Sequence, residues 1–181
     1  MEKIRMAQRA VTDMEAICEF LKQSKIGYLG LSDQMQPYVV PLNFVWQNSS
    51  IYFHGANEGK KLRIMTANNQ ACFTVSEELG TIASPIPAHT DTAYFSVMVF
   101  GSVEKVTDPK ERVEIMQSML DKYVPGYFNN SLASSHLEKY QSSLGSKTAV
   151  FKLTAKKITG KENKLDEKMR FTPGRTIAMD I

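Results

Sequence analysis

Residues 37–62, PYVVPLNFVWQNSSIYFHGANEGKKL, constrain the fold of this 181-residue chain more than any other stretch. Two strand-like runs, Gln36–Trp46 and Ile51–Gly55, are joined by a hairpin-length link at Gln47–Ser50. The first run alternates a buried face with a polar one. The second feeds a turn rich in glycine and lysine that opens a helix at Lys60. Such a turn offers backbone N–H groups beside two ammonium side chains, which suits a phosphate at a helix start. A sheet leading into it suits an anionic cofactor with a flat, partly apolar body.

The rest of the chain extends this pattern. Thr12 and Glu15 have the spacing of a capping box, and Met14, Ile17, Cys18 and Leu21 follow at helical spacing, predicting a helix over 13–24. Gly27 breaks it, and YLGLS starts a strand that turns at SDQ. Lys60–Ala67 is a short helix, and ACFTVS (71–76) another strand. Residues 77–91, with three charges, two prolines and Gly80, read as a loop. Thr92–Val106 is the longest strand, with Gly101 marking a bulge or a close backbone approach. Asp108–Pro109–Lys110–Glu111 starts a helix, with Val113, Met116, Leu120 and Tyr123 as its buried stripe. A second helical segment falls at about 131–143, and Lys147–Thr159 is the last strand. Roughly six strands with hairpin-length links predict a mainly β fold with flanking helices: an antiparallel sheet closed into a barrel. Strand–helix alternation, the mark of a doubly wound parallel sheet, is missing.

Composition bounds the function classes. A hydrophobic content of 43% and a charged content of 23% are ordinary for one globular domain. No apolar run approaches the ~20 residues of a membrane span, and the N-terminus lacks a signal-like segment. Cys18 and Cys72 read as buried thiols in a reducing compartment, so the expected address is the cytoplasm. From Lys156 onward seven basic residues face four acidic ones, which accounts for the whole net charge of +3. Residues 1–160 form the expected domain and 161–181 a basic tail. A neutral body without a basic stripe argues against nucleic acid. No Ser–His–Asp or Cys–His set and no metal-ligand spacing appears.

The chain resembles the pyridoxamine 5′-phosphate oxidase-related FMN-binding split-barrel family, and within it the nitroimidazole-resistance branch. The motifs that carry the resemblance are GYLGLS after an early helix, PYVVPLNFVW, IYFHGANEGKKL, SVMVFGSVEKVTD and the late ITGKE. Together they cover about residues 12–162. The resemblance implies a six-stranded split barrel that forms a homodimer, with FMN at two sites between the subunits. FAD and haem are the alternative cofactors, since the family includes deazaflavin and haem binders beside oxidases and reductases. By position, Val40, Pro41, Leu42 and Asn43 would lie along the isoalloxazine ring. His54, Gly55, Lys60 and Lys61 would lie toward the ribityl and phosphate end, and Ser96 and Val97 would approach from the long strand. One departure stands out: relatives carry aromatic–arginine–serine–valine where this chain has Tyr94–Phe95–Ser96–Val97.

Each group also has a plainer reading. A lysine pair is most often a solvated helix face, and His54 a satisfied strand histidine. His89 and His136 read as bystanders. Trp46 and the ten methionines read as core and interface filler. With no catalytic side chain expected, the chemistry would belong to the cofactor. The leading expectation is an FMN-dependent oxidoreductase passing hydride to a small aromatic or nitro-containing acceptor. The alternatives are a non-catalytic flavin or haem storage protein and an interaction module with a vestigial pocket.

Overall fold

The structure, a computed structural model, describes residues 6–135 and 145–181. Its strands are β1 (Ala10–Val11), β2 (Ile26–Asp33), β3 (Gln36–Asn43), β4 (Val45–Gln47), β5 (Ser50–Ala56), β6 (Gln70–Ile82), β7 (Asp91–Lys105) and β8 (Thr148–Asn163). The helices are α1 (Met14–Gln23), α2 (Lys60–Ala67) and α3 (Pro109–Tyr123). Residues 136–144 lie outside the described residues, and with them His136 and most of the helix expected at 131–143. Among the described residues no helix is long and apolar enough to cross a membrane.

The sheet runs β3-β2-β6-β7-β8-β5-β4 with every neighbour antiparallel, and β1 adds to β8. The edge strands β3 and β4 are separated in sequence by Phe44 alone. The two edges therefore meet there, and the sheet curls into a barrel split at that residue. The expected single strand over Gln36–Trp46 is thus two, because Phe44 leaves the ladder and needs other partners. Tyr123 and Lys122 at the end of α3 supply them. The Phe44 N–H donates to Tyr123 Oη (2.8 Å) and its carbonyl accepts from Lys122 Nζ (3.0 Å). The next hairpin turns on Asn48 and Ser49, both at positive φ (50° and 54°), the left-handed pair that matches strand twist.

Side chains alternate across this sheet. Leu29, Phe73, Val75, Val97 and Val99 point inward and are buried with Phe44, Phe53, Phe151 and Leu153. Phe44 meets Phe73 edge-on at 4.9 Å and Phe53 stacks on Phe151 at 5.4 Å. Gly101 sits at the register shift of β7 against β8, where a Cβ would come within 1.9 Å of the Thr154 carbonyl oxygen. The bulge and the close approach foreseen for it coincide.

Three further readings are corrected. The helix cap is Asp13, not Thr12: its carboxylate accepts from the Glu15 and Ala16 N–H groups, so α1 starts one residue later. Residues 77–82 are strand rather than loop. They pair with Asp91–Phe95 as a hairpin arm, with a bulge at Gly80. The arm shows no hydrophobic alternation because the C-terminal residues cover it rather than the core. Phe171 N–H donates to Thr81 O and Ala83 N–H to Met169 O, both at 2.8 Å. The buried face of α3 is Ile115, Met116 and Met119; of the expected stripe Met116 is buried, while Val113, Leu120 and Tyr123 are half-buried, so the face is turned by about one residue.

Candidate functional site

The lysine pair sits where α2 meets the barrel between β3 and β5. Gly59 precedes α2 at φ 92° and offers no side-chain cap, so the N–H groups of the first turn point outward without a protein acceptor among the described residues. Arg63 ties the helix to the β2–β3 hairpin by a two-pronged ion pair with Asp33 at 3.0 and 2.6 Å. Lys60 Nζ lies 4.9 Å from the centre of the Tyr38 ring. Lys61 Nζ lies 5.4 Å from the centre of the Phe53 ring and against Gly55, where a Cβ would approach it to 2.6 Å.

Burial lowers the Lys61 pKa, and among the described residues no carboxylate pairs with it. A half-buried ammonium lacking a counter-charge, beside open helix N–H groups and a residue without a side chain, is a cradle for an anion. His54 belongs to the other face of β5. Its Nδ1 is 3.1 Å from Met119 Sδ on α3. The imidazole keeps an open edge, yet the atoms packed around it and then the Lys61 charge push its pKa below the ordinary histidine range. His54 is therefore neutral at pH 7.

The other candidates divide by the pleat. Val40 and Leu42 face inward, half-buried against the core, and Val97 is fully buried. Their backbone alone can meet a ligand outside the barrel. Pro41, Asn43 and Ser96 face outward. The registers line them up in rows across the sheet: Pro41, Tyr28, Thr74, Met98 and Thr159 in one, and Ser76, Ser96, Lys161 and Ala10 in another. The outer face of β3 is not polar as expected. Pro37, Val39 and Pro41 alternate there, and with Ile26, Tyr28 and Met98 they leave a broad apolar surface exposed (Val39 61%, Ile26 55%, Tyr28 48%).

One chain does not bring the two sets together. His54 pairs with Val150 and Ser96 with Lys161, so eleven residues of β8 separate them, about 35 Å of extended strand. Phe95 points to the side opposite Ser96, its ring centre 4.7 Å from that of Phe20 on α1, so the residue in the arginine's place here packs against a helix. His89 closes an exposed turn at Pro87–His89. Cys18 and Cys72 are free and half-buried, Trp46 is half-buried against the core, and no metal-binding cluster is found among the described residues.

Sequence reasoning missed Lys161, which it counted into the tail. β8 runs through it to Asn163, held between Ser96 on β7 and Ala10 on β1. No hydrophobic alternation marks the strand past Ile158, where Thr159–Asn163 has only polar residues and Gly160.

The sequence model of a family described as pyridoxamine 5′-phosphate oxidase matches residues 13–162. No curated protein matches the chain. Among solved structures, the flavocytochrome Anf3 of Azotobacter vinelandii aligns with a TM-score of 0.76 at 21% identity, covering 92% of this chain and 77% of that one. A putative 5-nitroimidazole antibiotic resistance protein of Bacteroides thetaiotaomicron gives 0.67 at 25% identity, over 84% of this chain and 85% of that one. The FAD and haem binding protein of Mycobacterium smegmatis gives 0.74 at 16%, over 87% and 74%. The first and third likenesses, at such identities, speak for the fold alone: an antiparallel split barrel with flanking helices.

Proposed function

Because the chain belongs to the pyridoxamine 5′-phosphate oxidase family, we propose that it is a cytoplasmic, flavin-dependent oxidoreductase working as a homodimer. FMN is the proposed cofactor, its terminal phosphate held at Lys61 and the start of α2. The acceptor is a small aromatic or nitro-containing molecule. The observation that carries this reading is Lys61, a half-buried ammonium without a counter-charge among the described residues, set against Gly55 at the open start of α2.

A bound flavin supplies hydride transfer between a reduced donor and the acceptor. The chain's residues bind and orient. Lys61, Lys60 and the first-turn N–H groups of α2 hold the phosphate. Pro41 and Tyr28 offer an apolar wall for the ring, and Asn43 in the next row offers polar contacts for its edge. Val40, Leu42 and Val97 stiffen those strands from the core side. Neutral His54 adds no charge to compete with Lys61. A second copy is called for because Ser96 and Lys61 are too far apart on one chain, and the exposed apolar rows of the outer face are the surface it would cover.

The visible spectrum of the protein as isolated, with the released cofactor identified by mass, tests the reading. Flavin bands with the mass of FMN support it. A colourless protein whose melting temperature does not move with added FMN overturns it, and a Soret band reassigns the site to haem. If the FMN-loaded protein with a reduced donor turns over neither a nitroaromatic nor pyridoxamine phosphate, both named activities are lost.

A further inference from the structure

We infer that Lys161 is a second cation of the cofactor site, delivered in trans, so that each site joins Lys61 of one copy to Lys161 of the other. This rests on the flavin reading above and deepens it. Lys161 lies in mid-sheet, not in a tail: β7 pairs it with Ser96 on one side and β1 pairs it with Ala10 on the other. The preceding Gly160 fixes that position, since a Cβ there would stand 3.1 Å from both Ile17 Cδ1 and Val11 Cβ. A side chain there would press on both neighbours, so Gly160 lets β1 and α1 pack close to the strand that carries Lys161.

The neighbours of Lys161 in its row are small: Ala10, Ser96 and Ser76. They leave its half-buried side chain without bulky cover on the outer face. Among the described residues it has neither an ion pair nor a hydrogen-bond partner. Lys164, by contrast, reaches Glu162 at 4.0 Å. An ammonium without a partner among the described residues, beside the single hydroxyl of Ser96 and bordered by apolar Met98, matches the polar edge of a flat heteroaromatic ring. The phosphate already has its cradle at Lys61. Lys161 is therefore assigned to the N1–C2 carbonyl edge of the flavin, where a cation favours the reduced form. Within one chain, the eleven-residue run of β8 that parts Ser96 from His54 parts Lys161 from the mouth as well, which favours delivery from the second copy.

Subunit complementation tests it. Wild type, Lys61→Met and Lys161→Met are titrated with FMN by fluorescence quenching, and differently tagged copies of the two variants are co-expressed to isolate mixed dimers. Each variant alone is expected to bind FMN about tenfold more weakly, with Lys161→Arg retaining affinity. Mixed dimers are expected to regain one wild-type site per dimer, because one site then contains both lysines. The flavin reduction potential of Lys161→Met is expected to fall below that of wild type, an effect a purely structural role would not give. Mixed dimers without a tight site, or a Lys161→Met protein with wild-type affinity and potential, overturn the assignment. Failure of wild type itself to bind FMN overturns the flavin reading and this one with it, before any variant is measured.

Discussion

The barrel mouth and the outer face of the sheet both present lysines without counter-charges, but they do so by different means. At the mouth, Lys61 is drawn into a partly apolar setting by Phe53 and Gly55 of its own chain, and burial lowers its pKa. On the outer face, Lys161 stands half-buried among the small residues Ala10, Ser96 and Ser76, with no ion pair among the described residues. A charge desolvated by its own fold implies a ligand. A charge on the outer face, next to exposed Tyr28 and Met98, is where the proposed second copy would bring a ligand. The same sheet thus has an inner face that makes the fold and an outer face that has still to be completed.

Substitutions can break that contrast. Gly101→Ala should be the most damaging, costing at least about 4 kcal/mol or preventing folding, because the new methyl meets the Thr154 carbonyl, which cannot rotate away. Chemical denaturation reads it. On the two faces of the sheet, Phe73→Ala should cost about 3–5 kcal/mol, whereas Tyr28→Ser should change monomer stability by less than about 0.5 kcal/mol. Tyr28→Ser should instead weaken self-association in sedimentation. Equal losses for the two would erase the distinction between faces. Gly55→Ala meets only the flexible end of Lys61, so its melting temperature should hold while FMN affinity drops about tenfold.

The smallest effect concerns the barrel seam. Burial, then repulsion from Lys25, pushes Lys122 down to about 8. Between pH 8 and about 10.5 the unfolded lysine holds a proton that the folded one has released, so stability should rise with pH across that window. Denaturation of wild type and Lys122→Met from pH 7 to 10 should show a steeper rise in wild type, the remainder in the variant coming from groups such as Lys61 whose pKa burial also lowers. Parallel profiles would mean the ammonium at Phe44 is well solvated.

Much of the inner face was legible in the sequence. Alternation in β2 and β6, the helix start at Asp108–Pro109 and the glycine at 101 all gave their elements, since burial on one side of a strand writes itself into every second residue. The arm formed by 77–82 with 91–95 was not legible. Its cover is the C-terminal segment, joined to it by backbone hydrogen bonds that leave no mark in composition. The break at Phe44 was hidden because its rescue comes from Lys122 and Tyr123, almost eighty residues away. In the candidate site, the residue types around Lys61 were readable from the turn. The alternation that sends Val40, Leu42 and Val97 inward and Pro41, Asn43 and Ser96 outward was readable in principle. Lys161 was not, because its value comes from a register with Ser96 that only the folded sheet defines.

The central claim is that Lys61 holds the anionic end of a flavin, and FMN titration of wild type against Lys61→Met tests it most directly. Tight binding by wild type, a loss of about tenfold or more in the variant, and an unchanged melting temperature without cofactor are the predicted result. Equal affinity in the two proteins would contradict it.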